Sequence, residues 1–187
     1  MGNFTSMAGV LKQQLIHAIC TYYGQWLPGD ERGWRSRGHR THSSGDYTNP
    51  PSSEEHAGLR RWVRARMQSP PVKLRADQLP VIGSAFIDKM FNTGCEVRVL
   101  ACGATHLHVL FASPQCDVMP TLGKAKQYSS LKLADHRGQL WAGGAKIIRI
   151  RHWRHAERVF NYICSHALKE SAWIWRRDGD APPPRGV

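Results

Sequence analysis

Two apolar runs of strand length, Cys95–Cys102 (CEVRVLAC) and His106–Ala112 (HLHVLFA), are separated only by a short link containing Gly103 and Ala104. Runs this apolar and this close together predict neighbouring strands of a hairpin. A hairpin alone cannot bury both of its faces, so the rest of the chain has to extend the sheet and cover it.

The flanking segments supply those parts. Leu15–Gly24 (LIHAICTYYG) is rich in β-branched and aromatic residues, ends at glycine and predicts a strand. Asp77–Asn92 carries Leu79, Ile82, Phe86 and Met90 at helical spacing, with Pro80 tolerated in the first turn and Gly94 as the stop. Val118–Ala134 predicts a second helix, bearing Lys124, Lys126 and Lys132, and Lys146–Ile150 a further strand. His155–Lys169 predicts a third helix, with Val159, Tyr162, Ile163 and His166 along one stripe. A short basic helix is expected at Gly58–Gln68, broken by Ser69-Pro70-Pro71. Apart from that short helix, the order is strand, helix, strand, strand, helix, strand, helix. Without its last helix this is the split βαβ pattern of a ferredoxin-like sheet, so an α+β fold is expected. The expected organisation is an N-terminal extension over 1–14, one domain over 15–176 with a long polar loop at 25–57, and a tail over 177–187 that cannot pack.

Composition narrows the partners. A chain of 187 residues with 41% hydrophobic content builds one real core and has little room for a second. The net charge of +12 points to an anionic partner, the plain alternative being solubility. No stretch approaches the roughly 20 apolar residues of a membrane span, so no membrane partner is expected. The opening MGNFTS fits the short N-myristoylation pattern through Gly2 and Ser6, and lacks the basic start of a signal peptide. The five cysteines, Cys20, Cys95, Cys102, Cys116 and Cys164, form no CxxC pair. That usage speaks against a disulfide framework and for a reducing cytoplasm.

Three patterns carry chemistry. His106 and His108 are two apart on a predicted strand, so both rings project from one face and can share a metal ion. The plain alternative is a pair of ordinary strand histidines. Tyr162 and His166 are four apart on a predicted helix and share a face. His166 would complete three protein ligands with positions left open, the form of a catalytic metal site. Tyr162 would then be the nucleophile that attacks a metal-bound phosphate, where the alternative is a core tyrosine. Finally, cations alternate with aromatics in Arg149, Arg151, His152, Trp153, Arg154 and His155, and again in Arg60, Arg61, Trp62, Arg64 and Arg66. Such runs neutralise phosphates and stack on unpaired bases, unless they are simply solvated faces.

Four stretches together resemble one family: YGQWLPGDERGW (Tyr23–Trp34), HLH (His106–His108), GKAKQYSS (Gly123–Ser130) and YICSH (Tyr162–His166). The chain resembles the single-tyrosine HUH transposases of the insertion-sequence two-hundred-like group, in the branch of REP-associated tyrosine transposases. The resemblance runs from about Leu15 to Trp175, and the Tyr23–Trp34 stretch is its most distinctive part. It implies a ferredoxin-like catalytic domain in the bacterial cytoplasm and a homodimer acting on single-stranded DNA and imperfect hairpins. It also implies a Mg2+ or Mn2+ ion. His106 and His108 then match the metal ligands. Tyr162 matches the nucleophile that takes the 5′ phosphate and leaves a 3′ hydroxyl. Many relatives carry glutamine four residues after the tyrosine, where this chain has His166; imidazole favours softer divalent ions than magnesium. The DNA contacts expected are Lys124, Lys126, Arg149, Arg151 and Trp153, together with Arg32 and Trp34. For Tyr23–Trp34 two readings stand side by side: a fixed turn with Trp26 and Trp34 packed beneath it, or a DNA contact through Asp30, Arg32 and Trp34. The basic stretch Arg35–His42 would join such a contact.

Other functions remain in view. A small replication initiator or relaxase would use the same chemistry, but those proteins are usually larger, and this chain has no ATP-binding glycine-lysine loop. A domesticated hairpin-binding protein would keep the DNA contacts and lose cleavage. A ferredoxin-like RNA-binding module would need aromatics on the sheet face, where these strands offer aliphatics and histidines.

Overall fold

The computed structural model describes residues 14–34, 42–45, 49, 51–113, 117–133 and 135–177. The expectations for the N-terminal extension with Gly2 and Ser6, for 35–41, for Cys116 and for the tail beyond 177 lie outside the described residues. In chain order the elements are β1 (Leu15–Thr21), α1 (Ala57–Ala65), α2 (Gln78–Asn92), β2 (Glu96–Cys102), β3 (His106–Ala112), α3 (Val118–Ser130), β4 (Lys146–Arg149), α4 (Trp153–Glu170) and β5 (Trp173–Arg176). The chain divides into two compact units, Tyr23–Val72 and the remainder.

The larger unit is an α+β fold around an antiparallel sheet whose order, among the described residues, is β4-β1-β3-β2-β5. Its first four strands have the ferredoxin-like arrangement expected from the sequence, with β3 between β1 and β2. The fifth strand was not foreseen. WIWR is a short run directly after a helix, too brief for its alternation to be read, yet it pairs along β2 from Val99 to Cys102.

Register decides which residues share a face. Ile19 pairs with His108 and Thr21 with His106, which puts His17, Ile19, His106, His108 and Leu110 on one side. Ile16, Ala18, Cys20, Leu107, Val109 and Phe111 take the other side and are all buried. That second face lies under α2. The Tyr22 ring meets Trp141 at 4.5 Å, Trp141 meets Phe86 at 5.9 Å, and a side chain at Gly83 would overlap the Trp173 ring. Glycine is thus required at 83 by the close passage of β5.

The histidine face is covered by α4. Val159, Phe160 and Ile163 pack with Val99, Ala101, Leu110 and Ala172 into a buried cluster. The helix begins at His152, whose ring accepts the N–H of His155, and ends at Ser171 in the left-handed conformation (φ 51°). The Ala172 N–H donates back to the His166 carbonyl at 3.2 Å, so the chain reverses at once into β5.

Residues 23–72 form a compact unit where the sequence reading placed a loop over 25–57. Asp30 closes its first turn by accepting from the Arg32 backbone N–H (3.0 Å) and by a two-pronged ion pair with the Arg32 guanidinium (2.7 and 2.6 Å). Gly29 (φ 85°) passes against the backbone of Arg60, where a Cβ has no room. Trp34 is buried, its backbone N–H donating to Ser43 Oγ at 3.0 Å, its ring edge-on to His56 at 5.2 Å.

Candidate active site

The histidine face of the sheet brings its polar residues together under the second half of α4. One ligand-capable atom each from His106, His108 and His166 lies within 4.8 Å of the others. An ion with metal–nitrogen bonds of about 2.1 Å holds its nitrogens roughly 3.0–3.4 Å apart, so a modest inward shift of these rings would close on one ion. His166 carries the clearest sign of fit. Its ring is buried, and neither nitrogen has a hydrogen-bond partner. Leaving a buried imidazole unsatisfied costs free energy that a bound cation would recover.

The other two rings are held from behind. Thr105 Oγ1 lies 3.0 Å from His106 Nδ1, and His17 Nε2 is hydrogen-bonded to His108 Nδ1 at 2.9 Å. Glu170, one turn after His166, places its carboxylate 3.4 Å from His166 Nδ1 and 3.6 Å from His106 Nε2. Burial, with the neighbouring His106 next, pushes His108 down to about 2. Burial foremost, then Lys146, lowers His17 to about 4. Both rings are therefore neutral at physiological pH, the form that binds a metal.

Tyr162 stands at the edge of this cluster. Its ring centroid is 5.4 Å from that of His108 and 4.9 Å from that of His166, both edge-on, and 45% of the residue is exposed. Burial of the remainder, and then Glu170, raise its pKa above the ordinary phenol value. A core tyrosine would be covered and hydrogen-bonded; this one meets solvent beside three imidazoles.

The remaining sequence-predicted contacts are dispersed. Lys124, Arg149 and Arg151 are exposed, and Trp153 is 43% exposed at the start of α4. Lys126 is different: it is buried, and its ammonium donates to the carbonyls of Ala142 (3.0 Å) and Gly144. That cation is committed to a loop and is not free to meet a phosphate, contrary to the expectation from sequence. In the Tyr23–Val72 unit Trp34 is packed away, in line with the turn reading, whereas Trp26 is 48% exposed under the Arg32 guanidinium at 4.1 Å. On α1, Trp62 is 54% exposed with Arg66 stacked over it at 4.0 Å, and Arg61 and Arg64 are exposed as well.

Sequence reasoning missed His17 and Glu170. The His166–Glu170 spacing of one helical turn was visible, but acidic residues are common at that offset. His17 had no signal, because its partner is fixed only by strand register.

No helix among the described residues is long and apolar enough to cross a membrane. No protein-family model matches the chain, and no curated protein matches it in sequence. Among solved structures, that of a REP-associated tyrosine transposase bound to a REP hairpin is similar over 84% of this chain and 68% of its own length, with TM-score 0.48 and 11% identity.

Proposed function

We propose that this chain is a metal-dependent endonuclease and strand transferase for single-stranded DNA, a transposase-type enzyme working on hairpins through a 5′-phosphotyrosine. The observation that carries this reading is the half-exposed Tyr162 phenol beside the His106–His108–His166 cluster, on one sheet face. A divalent ion held there, Mg2+ or Mn2+, would supply Lewis-acid polarisation of the scissile phosphate. Of these two ions, an all-imidazole set favours the softer manganese over magnesium.

The Tyr162 oxygen forms the new bond to phosphorus as the bond from phosphorus to the 3′ oxygen breaks. The phenol proton is balanced by the 3′ hydroxyl released. The phosphodiester energy stays in the tyrosyl ester, so a second 3′ hydroxyl can reverse the step. Arg149, Arg151 and Lys124 supply phosphate contacts and Trp153 a face on which unpaired bases stack; within the Tyr23–Val72 unit, Trp62 and Trp26 offer such faces of their own. The resemblance to hairpin-acting transposases supports a homodimer.

The test is a cleavage assay on single-stranded hairpin oligonucleotides with manganese, resolved on a denaturing protein gel. A covalent protein–DNA band is expected, absent with chelator. Binding to hairpins without any band, across a broad hairpin library, would turn the reading to a domesticated hairpin-binding protein.

A further inference from the structure

His17 has a place in the cluster that the chemistry above leaves unused. It sits on β1 opposite Leu110, one diagonal step from His108 on the same sheet face, and is 3% exposed. Its ring stacks on that of His108 at 5.2 Å and 26°, with Nε2 at 2.9 Å from His108 Nδ1. An aliphatic residue would fill this position at less cost, as Leu15 does two residues earlier on the same face of β1, packed against the α4 cluster.

We infer that His17 is a positioning residue of the metal centre: it accepts the Nδ1–H of His108 and so presents the Nε2 lone pair of His108 to the ion. The inference rests on the metal reading of the three-histidine cluster. A neutral imidazole has one N–H and one lone pair, and the nitrogen that hydrogen-bonds as donor leaves the other to ligate. Metal-bound histidines are oriented in this way by an acceptor behind the ring. Here the acceptor is a second imidazole, which must then carry its own proton on Nδ1. His17 Nε2 is spent on His108, and His17 is not among the three residues whose ligand atoms converge. His106 is engaged at the same ring position, through Thr105 Oγ1 at 3.0 Å, so both ligands on β3 are held at Nδ1. His17 thus supports a ligand without being one.

The test uses the full chain without DNA and reads Mn2+ affinity by calorimetry. His17→Gln places an amide oxygen near the position of Nε2 and keeps the acceptor; His17→Leu removes it. The Leu variant should bind Mn2+ about 10- to 100-fold more weakly, and the Gln variant should recover most of that loss. Nitrogen NMR of the imidazoles should show His108 protonated at Nδ1 in wild type and Gln, and a mixture of tautomers in Leu. If Leu does not fold, His17→Met serves as the apolar variant. A Leu or Met variant that binds Mn2+ like wild type, or a Gln variant as weak as the apolar one, overturns the inference. Wild-type protein that takes up no Mn2+ removes the metal reading itself and this inference with it.

Discussion

Tyr162 and His166 are one helical turn apart on α4 with ring centroids 4.9 Å apart, yet the tyrosine is 45% exposed and the histidine 4%. One face of one helix thus presents a phenol to solvent and buries its neighbour against the sheet. Tyr162→Phe keeps the ring and its packing and removes only the hydroxyl. The covalent DNA adduct should vanish, while hairpin affinity stays nearly unchanged and folding stability stays within about 0.5 kcal/mol. Adduct gels, filter binding and thermal melts on the same preparation check the three readouts. Persistent cleavage by the Phe variant would mean another nucleophile.

His166→Leu should separate metal binding from stability. Both His166 nitrogens are buried without a hydrogen bond, and the Glu170 carboxylate stands off at 3.4 Å, so an apolar side chain of similar size removes a desolvation cost. The metal-free variant should melt at or above the wild-type temperature. Added Mn2+ should raise Tm in the wild type and leave the variant where it was. A variant that still responds to Mn2+ would place the ion elsewhere.

Gly83→Ala should strain the edge of the sheet, because the added methyl overlaps the Trp173 ring. Overpacking of this kind costs about 1–3 kcal/mol. Chemical denaturation should show that loss. Limited proteolysis should cut first near β5, the element that has to give way. An unchanged denaturation midpoint would mean that Trp173 rearranges freely.

Trp62→Ala should weaken single-stranded DNA binding without touching the fold. Trp62 is 54% exposed, and base stacking on such a ring is worth about 1–3 kcal/mol, or roughly 5- to 150-fold in affinity. Fluorescence anisotropy on an unpaired oligonucleotide gives the number. Equal affinity for wild type and variant would leave α1 as a solvated basic helix.

Alkaline pH should destabilise the protein through the sheet face that lies under α2. Burial raises Cys20 to about 11 and Cys102 to about 12, and lifts Tyr22 well above the ordinary phenol value. Groups raised on folding lend stability that is full below their unfolded values, near 9.0 for cysteine, and is lost as pH climbs toward 11. Tm should therefore fall across pH 9–11. Absorbance at the tyrosinate band should show Tyr22 ionising only together with loss of near-ultraviolet circular dichroism. Titration of every tyrosine before unfolding would contradict its burial, including its 3.2 Å contact with Cys102 Sγ.

The sheet was legible because its strands differ so plainly from their surroundings. The bounds of His106–Ala112 coincide with β3, and the start of α3 at Val118 and the end of α2 at Asn92 fall where periodicity put them. The His106–His108 pair with Tyr162 and His166 was legible for the same reason, since strand and helix spacing fix which side chains share a face. The residues behind them were not. His17 meets His108 through a pairing between strands ninety-one residues apart, which no local pattern encodes. Lys126 read as one more basic residue on a helix, because its sequence neighbours do not reveal that Ala142 and Gly144 wrap its ammonium. The helix at Ala57–Ala65 was legible, but the packing of Trp34, Ser43 and His56 was not, because they find each other across polar sequence with no period.

The turn at Ser171 and Ala172 bears on how firmly the Tyr162 helix is tied to its own sheet. Only two residues separate the end of α4 from β5, and β5 is hydrogen-bonded into the sheet that carries His106 and His108. Exchanging tyrosine helices between two protomers would first require each to peel its own edge strand away from β2 and lift Trp173 off Gly83. The fold therefore ties the tyrosine to the histidines of its own chain. On the function proposed above, a dimer that keeps β5 in place would pair each Tyr162 with the histidines of its own chain.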